Sequence, residues 1–194
     1  MSEEKKEAGK LVEEYEITVD EITIPINIVI KEYLKKYKLV LPKPDIATAA
    51  LLDDIKDRLI SGIDMQVNEI LDTKLIGKLK KDFSEQAEII LKEELPDLDE
   101  RIKNQFIQDL INELMGLDEI EYFLEDHNIE EIVINSAAEP VRIFHKKYGW
   151  LDTNIYPTNE ERIKNYANTI ARRVGREITM LNPLLDAQIG RAHV

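Results

Sequence analysis

The 194-residue sequence contains no cysteine. Disulfide bonds and thiolate metal sites are therefore excluded. Three histidines are present, His127, His145 and His193, and none of them stands at the i, i+4 spacing of paired metal ligands on a helix. We expect no metal site in this chain.

Glycine is scarce as well. The seven glycines lie far apart, and no segment matches the pattern G-x-x-x-x-G-K-[S/T]. Because the backbone amides of that loop cradle the phosphates of a nucleotide, we predict that this chain alone neither binds nor hydrolyses ATP. Neighbouring carboxylates such as Glu130 and Glu131 diverge in a strand, and no G-x-S-x-G elbow occurs, so no catalytic residue is predicted.

Long hydrophobic runs are also missing. Charged residues interrupt each apolar run within about ten residues, whereas a membrane-spanning helix needs roughly 20. Residues 1–10 carry too many charges for a signal peptide. These patterns predict a cytoplasmic protein.

The charge that is present is unevenly distributed. The net charge is −13, but residues 1–134 hold 17 Lys/Arg against 33 Asp/Glu, whereas residues 135–194 hold 9 against 6. The two parts are therefore expected to face different partners. The basic part contains six of the eight arginines, the side chains suited to bidentate contact with phosphate: Arg142, Arg162, Arg172, Arg173, Arg176 and Arg191.

The first half of the chain predicts a small sheet followed by helices. Apolar residues alternate over 15–19, 22–30 and 37–41, which indicates three antiparallel strands, and Pro25 is expected to restrict its strand to an edge or a bulge. Helices follow, with a cap at Asp45, stops at Gly62, Gly77, Pro96 and Gly116, and an apolar stripe on the last helix. That stripe either packs into its own core or receives a partner helix.

The second half predicts a separate α/β unit, and the chain is thus of the α+β class. A capping pair, Asp118 and Glu121, precedes a helix over 120–125, and a second pair, Thr158 and Glu161, opens a helix that ends at Gly175. Between these helices the pattern predicts strands over 130–135, 141–145 and 150–152, and a further strand is expected to begin near Val194. The predicted domains are 1–116 and 117–194.

Arginines concentrate at the end of the second predicted helix. Arg172 and Arg173 either stabilise the helix dipole there or contact an anion. Arg176, beyond the stop glycine, and Arg191, beside Gly190, are less readily explained by the dipole. They could reach an anion held by another domain, in the manner of an arginine finger.

Three segments resemble a known family. Residues 117–124 leading into 129–135 and 141–150 resemble the secretion ATPase superfamily, the hexameric motors of type II and type IV secretion, type IV pili and archaella. The segment 171–176 followed by 182–187 looks like the stretch before the family pattern L-D-A-x-L-P-D-G-S-R-V. Residues 11–62 are similar to the N-terminal region of archaeal members.

The resemblance implies a docking region, 1–116, and a PAS-like domain, 117–194, that closes over nucleotide held by a C-terminal RecA-like ATPase domain not included in this chain. It implies ATP and Mg²⁺ as cofactors of the full-length parent, which would be an ATPase and a homo-hexamer. It also implies a membrane platform protein as partner, no nucleic acid, and a peripheral location at the inner face of the membrane.

The resemblance further implies phosphate contacts from arginines. By motif position Arg191 is the nearest match, and Arg172, Arg173 and Arg176 are further candidates. Counting back from Val194 instead places His193 at the family arginine.

The alternative to a motor subunit is a stand-alone adaptor or scaffold whose acidic helical region binds another protein.

Overall fold

The computed structural model describes residues 9–19, 22–31, 33–61, 73–176 and 178, together with 188–189 and 192–193. These residues belong to two compact units, one from residues 1–41 and 119–194 (unit 1) and one from residues 42–118 (unit 2). The α+β class predicted from the sequence is confirmed. The three N-terminal strands, however, share a unit with the C-terminal segment and not with the helices that follow them in sequence.

Unit 1 contains all the described strands and two helices. The strands are β1 (Lys10–Val19), β2 (Ile22–Lys31), β3 (Leu34–Leu39), β4 (Ile129–Val133), β5 (Arg142–His145), β6 (Gly149–Thr153), β7 (Gln188–Ile189) and β8 (Ala192–His193). They form one sheet in the order β1-β2-β3-β6-β5-β4-β8-β7. The three predicted N-terminal strands are confirmed as an antiparallel meander.

The sheet is continuous because β3 pairs in parallel with β6, with Lys36 opposite Asp152 and Tyr37 opposite Thr153. The side chain of Asn154 extends this pairing. Its Oδ1 accepts a hydrogen bond from the Leu39 amide at 2.8 Å, and its Nδ2 donates to the Leu39 carbonyl at 2.9 Å. An amide side chain thus replaces a backbone peptide at the end of the short parallel ladder.

The expectation for Pro25 was wrong, because β2 has neighbours on both sides. The Pro25 carbonyl accepts a hydrogen bond from the amide of Val40 at 3.0 Å, on the β3 side. The nitrogen and carbonyl of one strand residue point to the same side, so the imide nitrogen also faces β3. The β2–β3 register ends at Ile26 and Leu39, so Pro25 lies at the end of the ladder, where its missing N–H removes only the bond reciprocal to the one from Val40.

One face of the sheet is buried in unit 1. Ile24, Ile26 and Ile28 of β2 point to this face, as do Tyr37 of β3 and Ile143 of β5. Two helices, α4 (Ile120–Glu125) and α5 (Glu160–Arg173), also belong to the unit. The Phe123 ring of α4 lies edge-on to the Tyr37 ring with centroids 5.6 Å apart, so aromatic packing joins α4 to β3.

The ends of these two helices differ in detail from the prediction. Residue Glu119, not Asp118, caps α4, and it does so without a side-chain hydrogen bond. Asn159, not Thr158, caps α5, and its Oδ1 accepts from the Arg162 amide at 2.8 Å. Both predicted capping boxes were therefore wrong, since a capping box is defined by backbone geometry that the sequence pattern does not fix.

The predicted stop at Gly175 is confirmed, and it is a Schellman motif. The Arg176 amide donates to the Ala171 carbonyl at 2.8 Å, and the Gly175 amide donates to the Arg172 carbonyl at 3.0 Å. Gly175 has φ +68°, a conformation that glycine adopts without strain.

Unit 2 consists of three described helices, α1 (Ile46–Ser61), α2 (Thr73–Glu94) and α3 (Glu100–Met115). They enclose a core of Ile55, Leu59, Phe83, Ala87, Leu91, Ile107, Leu110 and Ile111. The α3 residues of this core belong to the predicted apolar stripe, so the stripe packs into its own unit. None of the helices in the described ranges is long and apolar enough to cross a membrane.

The predicted cap at Asp45 and the stops near Pro96 and Gly116 are confirmed, whereas the stop at Gly77 was wrong because α2 continues through it. A single glycine costs a helix about 1 kcal/mol, which packing readily offsets. Asp45 accepts a hydrogen bond from the Thr48 amide at 2.7 Å, and this contact lowers the pKa of the Asp45 carboxyl. Gly62 lies outside the described residues.

Candidate functional site

The arginines predicted to contact phosphate lie mainly at the C-terminal end of α5. Arg172 and Arg173 occupy its last turn, and Arg176 follows the Schellman motif; all three residues are exposed. Three guanidinium groups thus lie within five consecutive residues at the negative end of the helix dipole. Arg191 lies outside the described residues, and of His193 only the backbone is described, in β8, where it is opposite Glu131 of β4.

Contacts distinguish these arginines from one another. Arg173 makes a bidentate ion pair with Glu121 of α4: Nη1 donates to Oε2 at 3.0 Å, and Nη2 donates to Oε1. The Glu121 carboxylate therefore links the start of α4 to the end of α5. Arg172 donates from Nη2 to a neutral group, the Thr169 hydroxyl, at 3.1 Å. Arg173 is thus paired with a carboxylate.

A second constellation was not predicted from the sequence. Four polar side chains, Tyr15, Tyr37, Asp126 and His145, meet on the buried face of the unit 1 sheet and are here called the Asp126 cluster. Up to 130 residues separate its members in the chain. Period-two alternation places both tyrosines on the same face as the apolar strand residues, but it gives no indication of their partner.

Asp126 is the centre of this cluster. It follows α4 directly and is 2% exposed. Its Oδ2 accepts hydrogen bonds from the hydroxyls of Tyr15 at 2.6 Å and Tyr37 at 2.9 Å, and its Oδ1 accepts from the Asn128 amide at 2.8 Å. Both carboxyl oxygens are thus used, as a buried polar group requires.

His145 ends β5 and touches Tyr15. Its Nδ1 accepts a hydrogen bond from the Lys147 amide at 3.1 Å, so the neutral ring carries its proton on Nε2. Nε2 faces the Tyr15 hydroxyl at 3.4 Å. The hydrogen bonds therefore share one direction: His145 Nε2 donates to the Tyr15 hydroxyl, and that hydroxyl donates to Asp126.

Burial determines which of these groups are neutral. It raises the pKa of the Tyr15 and Tyr37 hydroxyls, and the hydrogen bond and charge of Asp126 raise both further. Both tyrosines are therefore hydrogen-bond donors at any physiological pH. Burial also lowers the pKa of His145, and Lys146 and Lys147 add to this, whereas Asp126 and Glu13 oppose it.

The β5–β6 hairpin adds an exposed ion pair beside the cluster. Its turn is closed by the Tyr148 amide, which donates to the His145 carbonyl at 3.1 Å, and Gly149 follows with φ +69°. Glu13 of β1 accepts from Lys147 Nζ at 2.7 Å and from the Tyr148 hydroxyl. Both hydrogen bonds lower the pKa of the Glu13 carboxyl. This contact joins β1 to the hairpin across the sheet.

The cluster joins four parts of the chain: β1, β3, the residue after α4 and the end of β5. The tyrosine hydroxyls are occupied by Asp126, and neither is placed as a nucleophile beside a base. Chemically, the arrangement fixes the N-terminal meander to the C-terminal segment. The described residues contain no group of His, Asp and Glu able to hold a metal ion.

His145 predicts a pH dependence of unfolding. Its folded-state pKa lies below its usual value of 6.5, so the unfolded chain binds the proton more readily. The stability contributed by the neutral ring is present above pH 6.5 and is lost as the pH falls through the folded-state pKa. We expect His145→Gln to reduce the loss of unit 1 stability between about pH 7.5 and 5.5.

Fluorescence of Trp150, the single tryptophan, measures this loss in denaturant titrations at the two pH values. The exposed His127 provides the matched control, and His127→Gln should keep the wild-type dependence. An unchanged dependence in His145→Gln would contradict the assignment.

No protein-family model matches the sequence. Three proteins of Methanocaldococcus jannaschii, each described as uncharacterized, are similar to it. MJ1288 is 30% identical over 161 residues, 81% of this chain and 61% of that protein. MJ0781 is 28% identical over 179 residues, which are 91% of this chain and 23% of that protein. MJ0900 is 28% identical over 87 residues, which are 45% of this chain and 16% of that protein. The alignments thus cover from 61% down to 16% of these relatives.

Proposed function

We propose that this chain is the N-terminal regulatory and partner-docking portion of a hexameric secretion or pilus motor ATPase. In this role it closes over ATP and Mg²⁺ held by a C-terminal RecA-like domain and hydrolyses nothing alone. It would act in the cytoplasm, peripherally at the inner face of the membrane, and would dock there on a platform protein.

The observation that carries the proposal is the exposed arginine group at the end of α5. Arg172 and Arg176 are exposed, and Arg173 is held by Glu121. A guanidinium supplied from outside a phosphate site stabilises the charge on a transferred phosphoryl group. The similarity to segments that are 23% and 16% of two longer proteins is consistent with a module that works beside other domains.

The fold supports a rigid presentation of these arginines. The Schellman motif fixes the backbone from Ala171 to Arg176, and the Arg173–Glu121 pair ties the end of α5 to α4. Binding groups held on fixed backbone lose less entropy when they meet a ligand. In this proposal Arg172, Arg173 and Arg176 contact the phosphates, and the pair with Glu121 holds Arg173 in position.

The test is ATP hydrolysis in the presence of Mg²⁺ by a separately produced RecA-like domain of the superfamily, with and without this chain. We expect the wild-type chain to stimulate hydrolysis, and Arg172→Ala and Arg176→Ala to lower the stimulated rate on the order of tenfold or more. Arg101→Ala is the matched control, because its side chain is 95% exposed and lies on α3 of unit 2. It should stimulate like the wild type.

If all variants stimulated ATP hydrolysis equally, Arg172 and Arg176 would not be phosphate-contacting residues. A wild-type chain that associates with the ATPase domain without stimulating it would favour the alternative, a stand-alone adaptor or scaffold. The charge of unit 2 favours that second candidate, since residues 42–118 hold 10 Lys/Arg against 18 Asp/Glu and would suit a basic protein partner.

A further inference from the structure

The end of the sheet formed by the β2–β3 turn has an unusual surface. Tyr33 is 100% exposed, and Leu34 beside it is 63% exposed. Lys31 pairs with Leu34 in the register, Lys35 pairs with Ile30, and Lys10 pairs with Ile30 from the other side. These five residues, Lys10, Lys31, Tyr33, Leu34 and Lys35, are here called the lysine tip.

The stability of the fold does not explain why a tyrosine occupies position 33 in this turn. Tyr33 has φ 73°, in the left-handed region, and it lies in a two-residue turn between the paired Lys31 and Leu34. Two-residue hairpin turns favour glycine or asparagine at such a position. A tyrosine there is strained and buries nothing, and strained residues on exposed turns are candidates for function.

The charge around the tip is mainly positive, and Glu32 is the one acidic residue in 31–38. In the described part of the chain, none of the three lysines forms an ion pair with a carboxylate, and the Lys35 ammonium lies 4.9 Å from the centre of the Tyr148 ring. The nearby Glu13 carboxylate is neutralised by Lys147. In sequence, residues 31–38 hold four lysines and one glutamate. Since charges beyond about 10 Å are largely screened in 0.1 M salt, these lysines outweigh the net charge of −13 locally.

We propose that the lysine tip binds the surface of an anionic membrane, with Tyr33 and Leu34 entering the interface and Lys10, Lys31 and Lys35 contacting lipid headgroups. Tyrosine favours the membrane–water interface, and lysines near an anionic leaflet are attracted to it. A protein interface is the poorer fit, because such interfaces are depleted in lysine and the tip offers two protruding side chains and no broad apolar face. This inference does not rest on the proposed motor function.

The experiment is sedimentation of the full chain with vesicles in about 0.1 M salt, where the rest of the acidic chain is screened from the tip. We expect binding to vesicles of equal parts phosphatidylcholine and phosphatidylglycerol, no binding to phosphatidylcholine alone, and release in high salt. Lys31→Gln with Lys35→Gln should weaken binding on the order of 30-fold. Tyr33→Gly with Leu34→Ser should weaken it on the order of tenfold and should not lower the unfolding temperature, since glycine suits the turn.

The matched control is Lys43→Gln with Lys78→Gln, which removes the same charge from exposed positions in unit 2 and should bind like the wild type. Absence of binding to the anionic vesicles, or equal binding by the tip variants and the control, would overturn the proposal. A dimer of the free chain that Tyr33→Gly dissociates would assign the tip to a second copy and would equally overturn it. ATP hydrolysis measured without lipid is independent of all these outcomes.

Discussion

Replacement of Asp126 by alanine is expected to lower the free energy of unfolding of unit 1 by about 4 kcal/mol. The substitution removes the acceptor of the Tyr15 and Tyr37 hydroxyls and of the Asn128 amide. Tyr37 is fully buried, so its hydroxyl has no access to water as a substitute partner. An unsatisfied buried hydroxyl costs about 1–3 kcal/mol, and the substitution leaves one at Tyr37, removes the acceptor of the half-buried Tyr15 hydroxyl and loses a turn contact.

Trp150 fluorescence in a denaturant titration measures this change, since the single tryptophan belongs to unit 1. The neighbouring exposed residue Glu125 is the control, and Glu125→Ala should change stability by less than about 0.5 kcal/mol. Tyr15→Phe and Tyr37→Phe should each cost about 1–3 kcal/mol, and their effects should largely vanish in the Asp126→Ala background. A loss below about 1 kcal/mol for Asp126→Ala would show that the cluster does not hold the sheet.

Leu91→Ala is expected to destabilise unit 2 by about 2–5 kcal/mol. Leu91 is 0% exposed and lies in the core shared by α1, α2 and α3. Truncation loses the transfer free energy of the side chain and leaves a cavity between helices that collapses only in part. Far-ultraviolet circular dichroism during denaturant unfolding is the measurement, because the described part of unit 2 is mainly helical.

The control for this change lies two residues away on the same helix. Ile89 is 59% exposed, so Ile89→Ala removes an aliphatic side chain of equal size from the surface and should cost less than about 1 kcal/mol. Equal losses for the two variants would mean that α2 does not pack through Leu91. The denaturation midpoint reported by Trp150 fluorescence should change little in either variant, since Trp150 belongs to unit 1 and both substitutions lie in unit 2.

The patterns that predicted the fold correctly were local ones. Alternation over residues 15–30 predicted β1 and β2, and the apolar stripe on the last predicted helix indicated α3 and its buried face. The sequence was less informative about where each helix begins and ends, because the exact geometry of a few backbone bonds decides this. The caps of α4 and α5 fell one residue from the predicted positions, and α2 continued through Gly77.

The candidate sites divide in the same way. The arginines at the end of α5 could be found from sequence, because they are adjacent in the chain and lie next to a stop glycine that the structure confirms. The Asp126 cluster could not be found from sequence, because its members meet only when β3 pairs with β6. Tyr15 and Asp126 are 111 residues apart, and no local period relates them.

The strands and helices, the lack of a nucleotide-binding loop and of cysteine thiolates, and the strong asymmetry of charge could all be read from the residues along the chain. These follow from side-chain chemistry and from the repeat of each backbone conformation. Two features emerged from the folded chain alone: the N-terminal meander joins the C-terminal segment in one sheet, and Glu121 holds Arg173. The physical reason is that such pairings depend on satisfying buried polar groups between distant segments, which a periodic pattern does not encode.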